Sequence, residues 1–337
     1  MKHVCVVVTS LALMAACTAP EVQNKPPPPP KLPTDVQCKA DVSRQLGAYL
    51  SSRPPGATVS LPPLACYRVD GEVTVRSRNL TVEGNGARLV RESTPSDRST
   101  SLLRIERSEL VTVRNLVLAG DNAKGGVDKE EAYQEERSGQ HGIAVEASKG
   151  TRIDRVEVSH VYGDAIYLRS QAADTHITEA NLHDAGRQGI GVVGAARTVV
   201  ERSIIRNAPR SVVDLEVSDS KQFIDGFTLQ DSSLGLSGFN RVVNQGGRNA
   251  ARVTIAGNRT VDGAEFLVSN EGEVKAHLRQ EDWRIERNVG AGTTDRPVVN
   301  LVNVDGLVVR DNTQQTTASE PVRCKGCSTL VVEGNRF

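Results

Sequence analysis

Three stretches of this chain are variations on one short strand: YGDAIYLRS at 162–170, RQGIGVVGA at 187–195 and RSVVDLEVS at 210–218. Each carries an apolar residue at every second position and changes what stands between. Ile143, Ile166, Ile190 and Val213 follow one another at steps of 23, 24 and 23 residues. Val158, Leu182 and Ile205 step by 24 and 23, and so do Ile153, Ile177 and Val200. Three apolar columns therefore keep one register through consecutive repeats.

A period of 23–24 residues holding three short strands reads as an all-β solenoid, a right-handed parallel β-helix. Each coil stacks on the last at about 4.8 Å, the ordinary strand spacing. One coil cannot bury its own apolar side, so the stack supplies the core. Leucine-rich repeats share the period, but their leucine spacing is absent. Helical repeats fit poorly with segments filled by Val, Thr, Gly and Asn. The later repeats VTIAGNRT, WRIERNVG, LVVRDNTQ and LVVEGNRF place Asn288, Asn312 and Asn335 at steps of 24 and 23. Asn85 in LTVEGNGA reads as part of the same pattern, with asparagine at a left-handed bend. The open N-terminal end needs a cover. CKADVSRQLGAYLSSRP supplies one, with Val42, Leu46, Tyr49 and Leu50 at helical spacing and Pro54 and Pro55 ending the helix. The chain stops on GNRF in mid-pattern, which leaves the last coil under-capped.

The 337 residues carry 41 basic and 41 acidic side chains, so no basic surplus asks for nucleic acid. Aromatics are 3%, which suits thin stacked strands better than a thick core. Lys2 and His3 precede the apolar run Val4–Met14 and the small residues before Cys17. That run is too short to span a bilayer and reads as a signal peptide. A Cys at this place resembles a bacterial lipoprotein signal, which makes Cys17 the acylated N-terminus. Five prolines at Pro26–Pro30 make the next stretch a semi-rigid spacer. The expected order is signal peptide 1–16, lipidated Pro-rich tether 17–36, N-terminal cap 37–66 and β-helix domain 67–337. In an exported chain the remaining cysteines favour disulfides, Cys38 with Cys66 and Cys324 with Cys327. Zinc at CKGC lacks two further soft ligands.

The segment GATVSLPPLACYRVDGEVTVRSRNLTVEGNGARLV (56–90) resembles the opening of pectate-lyase-like right-handed β-helix proteins. HVYGDAIYL, GRQGIGVVG and VVDLEV look like three successive coils of an uncharacterised bacterial branch of that superfamily. The resemblance runs from about residue 40 to 337. It implies a protein acting on a polysaccharide, since the superfamily includes polysaccharide lyases, glycoside hydrolases, uronan epimerases and phage tailspikes. The Asn-Thr-Asp, Asp-Asp and Gly-His-Gly motifs of polygalacturonases are absent.

With Ile166 and Leu168 inward, alternation turns Ala144, Tyr167, Gly191 and Asp214 outward in one column. Glu146, Arg169, Val193 and Glu216 form the next. Gly189 and Gly191 leave a hollow, with Tyr167 below it as a sugar platform. Asp214 and Glu216 stand about 7 Å apart along one strand, a separation compatible with the carboxylate pair of glycoside hydrolysis. Asp164 joins them as a third catalytic candidate. Arg187 and Arg210, one coil apart, suit the carboxylates of an acidic sugar. Gln188 and His141 border the same face, and His160 and His183 occupy equivalent bends one coil apart. The insertion 121–140 reads as a lid or cleft wall and the stretch after the acidic coil as an opposite wall.

The expected function is hydrolysis of an acidic or complex polysaccharide at the cell envelope. The alternatives are a uronan lyase or epimerase, and a non-catalytic glycan-binding or adhesive lipoprotein. No cofactor is expected, except calcium if the chemistry is that of a lyase. The identity of any metal stays open. Contact with the membrane is expected through the N-terminal lipid alone, and a periplasmic or secreted location is the alternative to anchoring.

Overall fold

A computed structural model of the chain describes residues 28–93, 96–127, 131–217, 223–238, 243–245, 249–270 and 280–337. The signal peptide, Cys17 and the start of the tether lie outside the described residues.

Val, Ile and Leu at alternate positions build strands whose inner side chains meet in the stack. The described strands are parallel and form two sheets, one of 10 strands and one of 20. The first takes one strand from each coil, from Val73–Val75 to Val322–Lys325. Its register pairs Ile143 with Ile166, Ile166 with Ile190, and Ile190 with Val213. The other two columns also pair as spaced: Val158 with Leu182 and Leu182 with Ile205, Ile153 with Ile177 and Ile177 with Val200. All ten of these side chains are fully buried. Within the supposed opposite wall, Ile224–Gln230 and Ser233–Leu234 continue the larger sheet and Val243–Gln245 the smaller one. Residues 218–222, 239–242 and 246–248 lie outside the described residues.

The turns differ from the expected pattern in one respect. The left-handed residue stands one place before each ladder asparagine: Gly257, Arg287, Asp311 and Gly334 have positive φ. The asparagine is thereby freed to bond along the stack. Asn288 donates its backbone N–H and its Nδ2 to Asn312 Oδ1, at 3.0 and 2.9 Å, and Asn312 repeats this with Asn335. Ser203 and Ser232 extend the ladder downward with hydroxyls in place of amides. Asn85 does not belong to it. Asn85 itself has a φ of 53° and donates to Leu61 O and Ser60 Oγ. His160 likewise takes the left-handed bend, but its equivalent one coil on is Asp184, also left-handed, because His183 aligns with Ser159.

The helix Ser43–Ser51 closes the N-terminal end, with Val42, Leu46 and Leu50 buried. Gly47 brings it against Thr74, whose carbonyl oxygen would lie 3.0 Å from any added Cβ. Strand Gln37–Asp41 pairs with Cys66–Arg68, and the Cys38–Cys66 disulfide joins them. Cys324 and Cys327 are also bonded. Among the described residues no helix covers the other end. Leu330 and Val332 pair with the fully buried Leu307 and Val309, yet each is 47% exposed.

Candidate functional site

The outer face of the 10-stranded sheet carries the columns its alternation predicts. Tyr167 aligns with Ala144 and Gly191, and Gly191 with Asp214. Arg169 aligns with Glu146 and Val193, and Val193 with Glu216. At the corner, Arg210 N–H donates to Arg187 O and Arg187 N–H to Gly163 O. Asp164 O accepts from Gly142 N–H, and Gln188 O from Ala165 N–H. The two arginines thus share one column, and Asp164 and Gln188 share the other.

Arg187 is the hub. Its Nη1 donates to Asp164 Oδ2 at 2.9 Å and its Nη2 to Glu216 Oε2 at 2.6 Å. Burial works against its charge, but Asp164 and Glu216 more than restore it, so it stays firmly cationic. Asp164 is fully buried, and burial pushes its carboxyl up to about 6 against the pull of Arg187. Its carboxyl lies on the outer face against Gly191, covered by its neighbours, and holds Arg187 in place. Asp214, expected outward, is outward in register but only 7% exposed. Burial first, and then the charge of Glu216, push it up to about 7, despite a hydrogen bond from Gln188 Nε2. Gln188 is itself buried, so its contact is with Asp214 behind the cleft.

The hollow expected over Gly191 is filled. An added Cβ there would meet Asp164 Oδ2 at 2.4 Å, Tyr167 Cδ2 at 3.0 Å and Gln188 Oε1 at 3.1 Å. Glycine is needed so that the buried Asp164 carboxyl can lie against the outer face of the strand. Gly189 is not part of a hollow either, since a Cβ there would strike Ile205 Cγ2 and Val212 O.

Tyr167 does not offer a bare ring. His141 stacks on it, with centroids 4.1 Å apart and planes 13° from parallel. One ring face is therefore covered, and the Cδ2 edge abuts Gly191. Burial, then Asp164, push the phenol up to about 12, so it keeps its proton. His141 Nδ1 accepts the Asp164 backbone N–H at 3.0 Å. Burial, and then Arg187, hold this imidazole well below its usual pKa. A neutral ring that accepts at Nδ1 carries its proton on Nε2.

Over this face lies a cleft of about 230 Å³. Tyr167, Ala144 and Val193 line it, with His141, Arg187, Arg210 and Glu216. Asp164, Asp214, Gln188 and Gly191 are not among its lining residues. The insertion contributes Tyr133, Ser138 and Gly139, so it forms a wall. Tyr133 lies under the Arg210 guanidinium at 4.9 Å, and Arg137 over Tyr162 at 4.7 Å. Residues 128–130 lie outside the described residues. The sequence reading missed Arg98, Ser99 and Arg104 on the opposite side. Arg104 had a signal, because it continues the Ala144 column one coil earlier. Arg98, Ser99, Tyr133 and Ser138 stand on irregular loops, where no period marks them.

The family model described as "Right handed beta helix region" matches residues 99–294. The chain belongs to the right-handed β-helix family. No curated protein sequence matches this β-helix chain. Among solved structures, it is similar to an alginate lyase from Paenibacillus sp. (14% identity, 88% of this chain and 97% of that one, TM-score 0.56). It is also similar to PfbA, a surface adhesin of Streptococcus pneumoniae (11%, 90% and 89%, 0.62). A third is the catalytic unit of a GH87 α-1,3-glucanase from Streptomyces thermodiastaticus (13%, 90% and 67%, 0.65). At such identities the likeness is one of fold.

Among the described residues no group of three or more His, Cys, Asp or Glu side chains is arranged to hold a metal ion. Asp164 and Glu216 converge on the Arg187 cation, which is a poor surround for calcium. No helix among the described residues is long and apolar enough to cross a membrane.

Proposed function

We propose that this β-helix protein binds a polysaccharide in the cleft over the 10-stranded sheet and hydrolyses it. The observation that carries the reading is the division between two carboxyl groups on one strand. Asp214 keeps its proton to about pH 7, while Glu216, two residues on, is ion-paired to Arg187 on the cleft wall. Neighbouring carboxyls in unlike environments are what an acid–base pair requires. Glu216, which lines the cleft, serves as base or nucleophile, and Asp214, only 7% exposed beside it, as proton donor to the leaving oxygen once its side chain turns from Gln188 toward the cleft. Asp164 is a positioning residue for Arg187.

Two observations weigh against β-elimination by the neighbouring groups. The Nδ1 lone pair of His141 is already used by Asp164 N–H, and Tyr167 holds its proton up to about 12. A non-catalytic reading has its own support, since Glu216 is neutralised by Arg187 and an adhesin shares the fold. A panel of polysaccharides separates the three. New reducing ends indicate hydrolysis, and ultraviolet absorbance of an unsaturated uronide indicates a lyase. Binding with neither indicates a module. Glu216→Gln should lower hydrolysis on the order of a hundredfold or more, and normal turnover by this variant would sink the assignment.

The same proposal places the protein outside the cytoplasm, held at the envelope by a lipid on Cys17. Two disulfides fit an oxidising compartment.

A further inference from the structure

The cleft is rich in donors and poor in acceptors. Five arginines line it, Arg98, Arg104, Arg169, Arg187 and Arg210, against one carboxylate, Glu216. Their commitments differ. Arg187 is spent on Asp164 and Glu216. Arg104 gives Nε and Nη2 to Glu72 and Nη1 to Glu146. Arg210 lies against Tyr133. Arg98, on an exposed loop, makes one hydrogen bond among the described residues, from Nη2 to Ser138 Oγ at 2.9 Å. Arg169 gives Nη2 to Glu146 at 2.8 Å, and its Nε is buried with no partner among the described residues. The Arg169 side chain is 37% exposed on the cleft, so its guanidinium keeps N–H groups open to a ligand beyond the one given to Glu146.

The loop that carries Arg98 is braced. Gln140 Nε2 donates to Asp97 O at 2.9 Å. Gly139 packs so close that an added Cβ would lie 2.6 Å from Arg98 O. The insertion thus clasps the loop and presents Arg98 at the cleft, opposite a sheet that presents Arg169.

Sugar hydroxyls both donate and accept, so a neutral glycan needs a balance of partners. A carboxylate or a sulfate only accepts, and two arginines with unused N–H groups suit it. We infer that the cleft takes an anionic polysaccharide, bearing a uronate carboxylate or a sulfate ester, and that Arg98 and Arg169 hold the anionic group. This rests on the polysaccharide reading above and narrows it to a charge class. It also moves charge recognition away from Arg187 and Arg210, where the sequence had placed it.

The test measures binding of the full chain to three sets of polymers. The first is polygalacturonate, alginate and hyaluronate. The second is the same polymers after reduction of their carboxyl groups, with a neutral α-glucan added. The third is a sulfated galactan. At least one anionic polymer should bind tenfold or more tighter than its neutral counterparts, and the preference should shrink as salt rises. The uronate and sulfate arms tell the two sources apart. Arg98→Gln and Arg169→Gln should each reduce that preference about tenfold, with neutral polymers and the melting temperature little changed. Arg152→Gln, outside the cleft, should leave it intact. Equal binding of charged and reduced polymers, binding of the neutral α-glucan alone, or variants that keep the full preference would each overturn the inference while sparing the polysaccharide reading. Binding of none of the polymers would overturn both.

Discussion

Asp214→Asn tests the central claim about the site without any ligand. The folded chain holds the Asp214 proton up to about 7, well above the 3.8 of a free aspartate. A raised carboxyl pKa means that the folded state binds this proton more tightly than the unfolded state. Its stabilising effect is complete below about 3.8 and is lost as pH rises through about 7. The difference in proton affinity between folded and unfolded chain sets a ceiling of roughly 4 kcal/mol. The window is shared with Asp164, raised to about 6, so the loss belongs in part to the pair. Asparagine keeps the shape and can accept from Gln188, but it does not titrate. Urea unfolding of both proteins at pH 4, 6 and 8 gives the comparison. The two should be nearly alike at pH 4, and the variant should become the more stable by pH 8, by up to the ceiling. A wild type whose stability does not fall between pH 4 and 8, or a difference that does not change with pH, would refute the buried, protonated Asp214.

Three further outcomes are expected. Gly191→Ala should destabilise by roughly 1–3 kcal/mol in thermal melts, because its Cβ would fall 2.4 Å from the fully buried Asp164 carboxyl; a melt equal to wild type would show that the strand has room to spare. Cys38→Ala should cost roughly 2–4 kcal/mol under oxidising conditions and little in reductant, as read from paired denaturation curves, because Cys38 is bonded to Cys66. Cys17→Ser should move the protein from the membrane fraction to the soluble fraction, and a wild type that is already soluble would end the lipid-anchor proposal.

The stack was legible because a β-helix repeats one environment. Ile143, Ile166, Ile190 and Val213 had only to be spaced by one coil to be placed on one another. A period of 2 then decided which side chains turn outward. The columns Tyr167–Gly191–Asp214 and Arg169–Val193–Glu216 followed from that alternation alone. The bends were read less well. Arg287, one place before Asn288, is the left-handed residue, and spacing marks a turn without saying which residue in it carries the strained φ.

Tertiary structure decided what the outward residues do. Asp214 and Glu216 alternate identically in sequence, yet one is nearly buried and the other lines a cleft. The difference arises from Arg187 and Gln188 on the coil below, and from loops that have no period. Arg98 reaches the cleft only because Gly139 and Gln140, some 40 residues later, clasp its loop. Tyr167 loses a ring face to His141 of the coil below. Alternation along a strand is a local property that any stretch of chain displays by itself. Burial, ion pairing and proton affinity are set by whichever side chains the stack and its loops bring within a few ångströms, and only the folded chain determines that set.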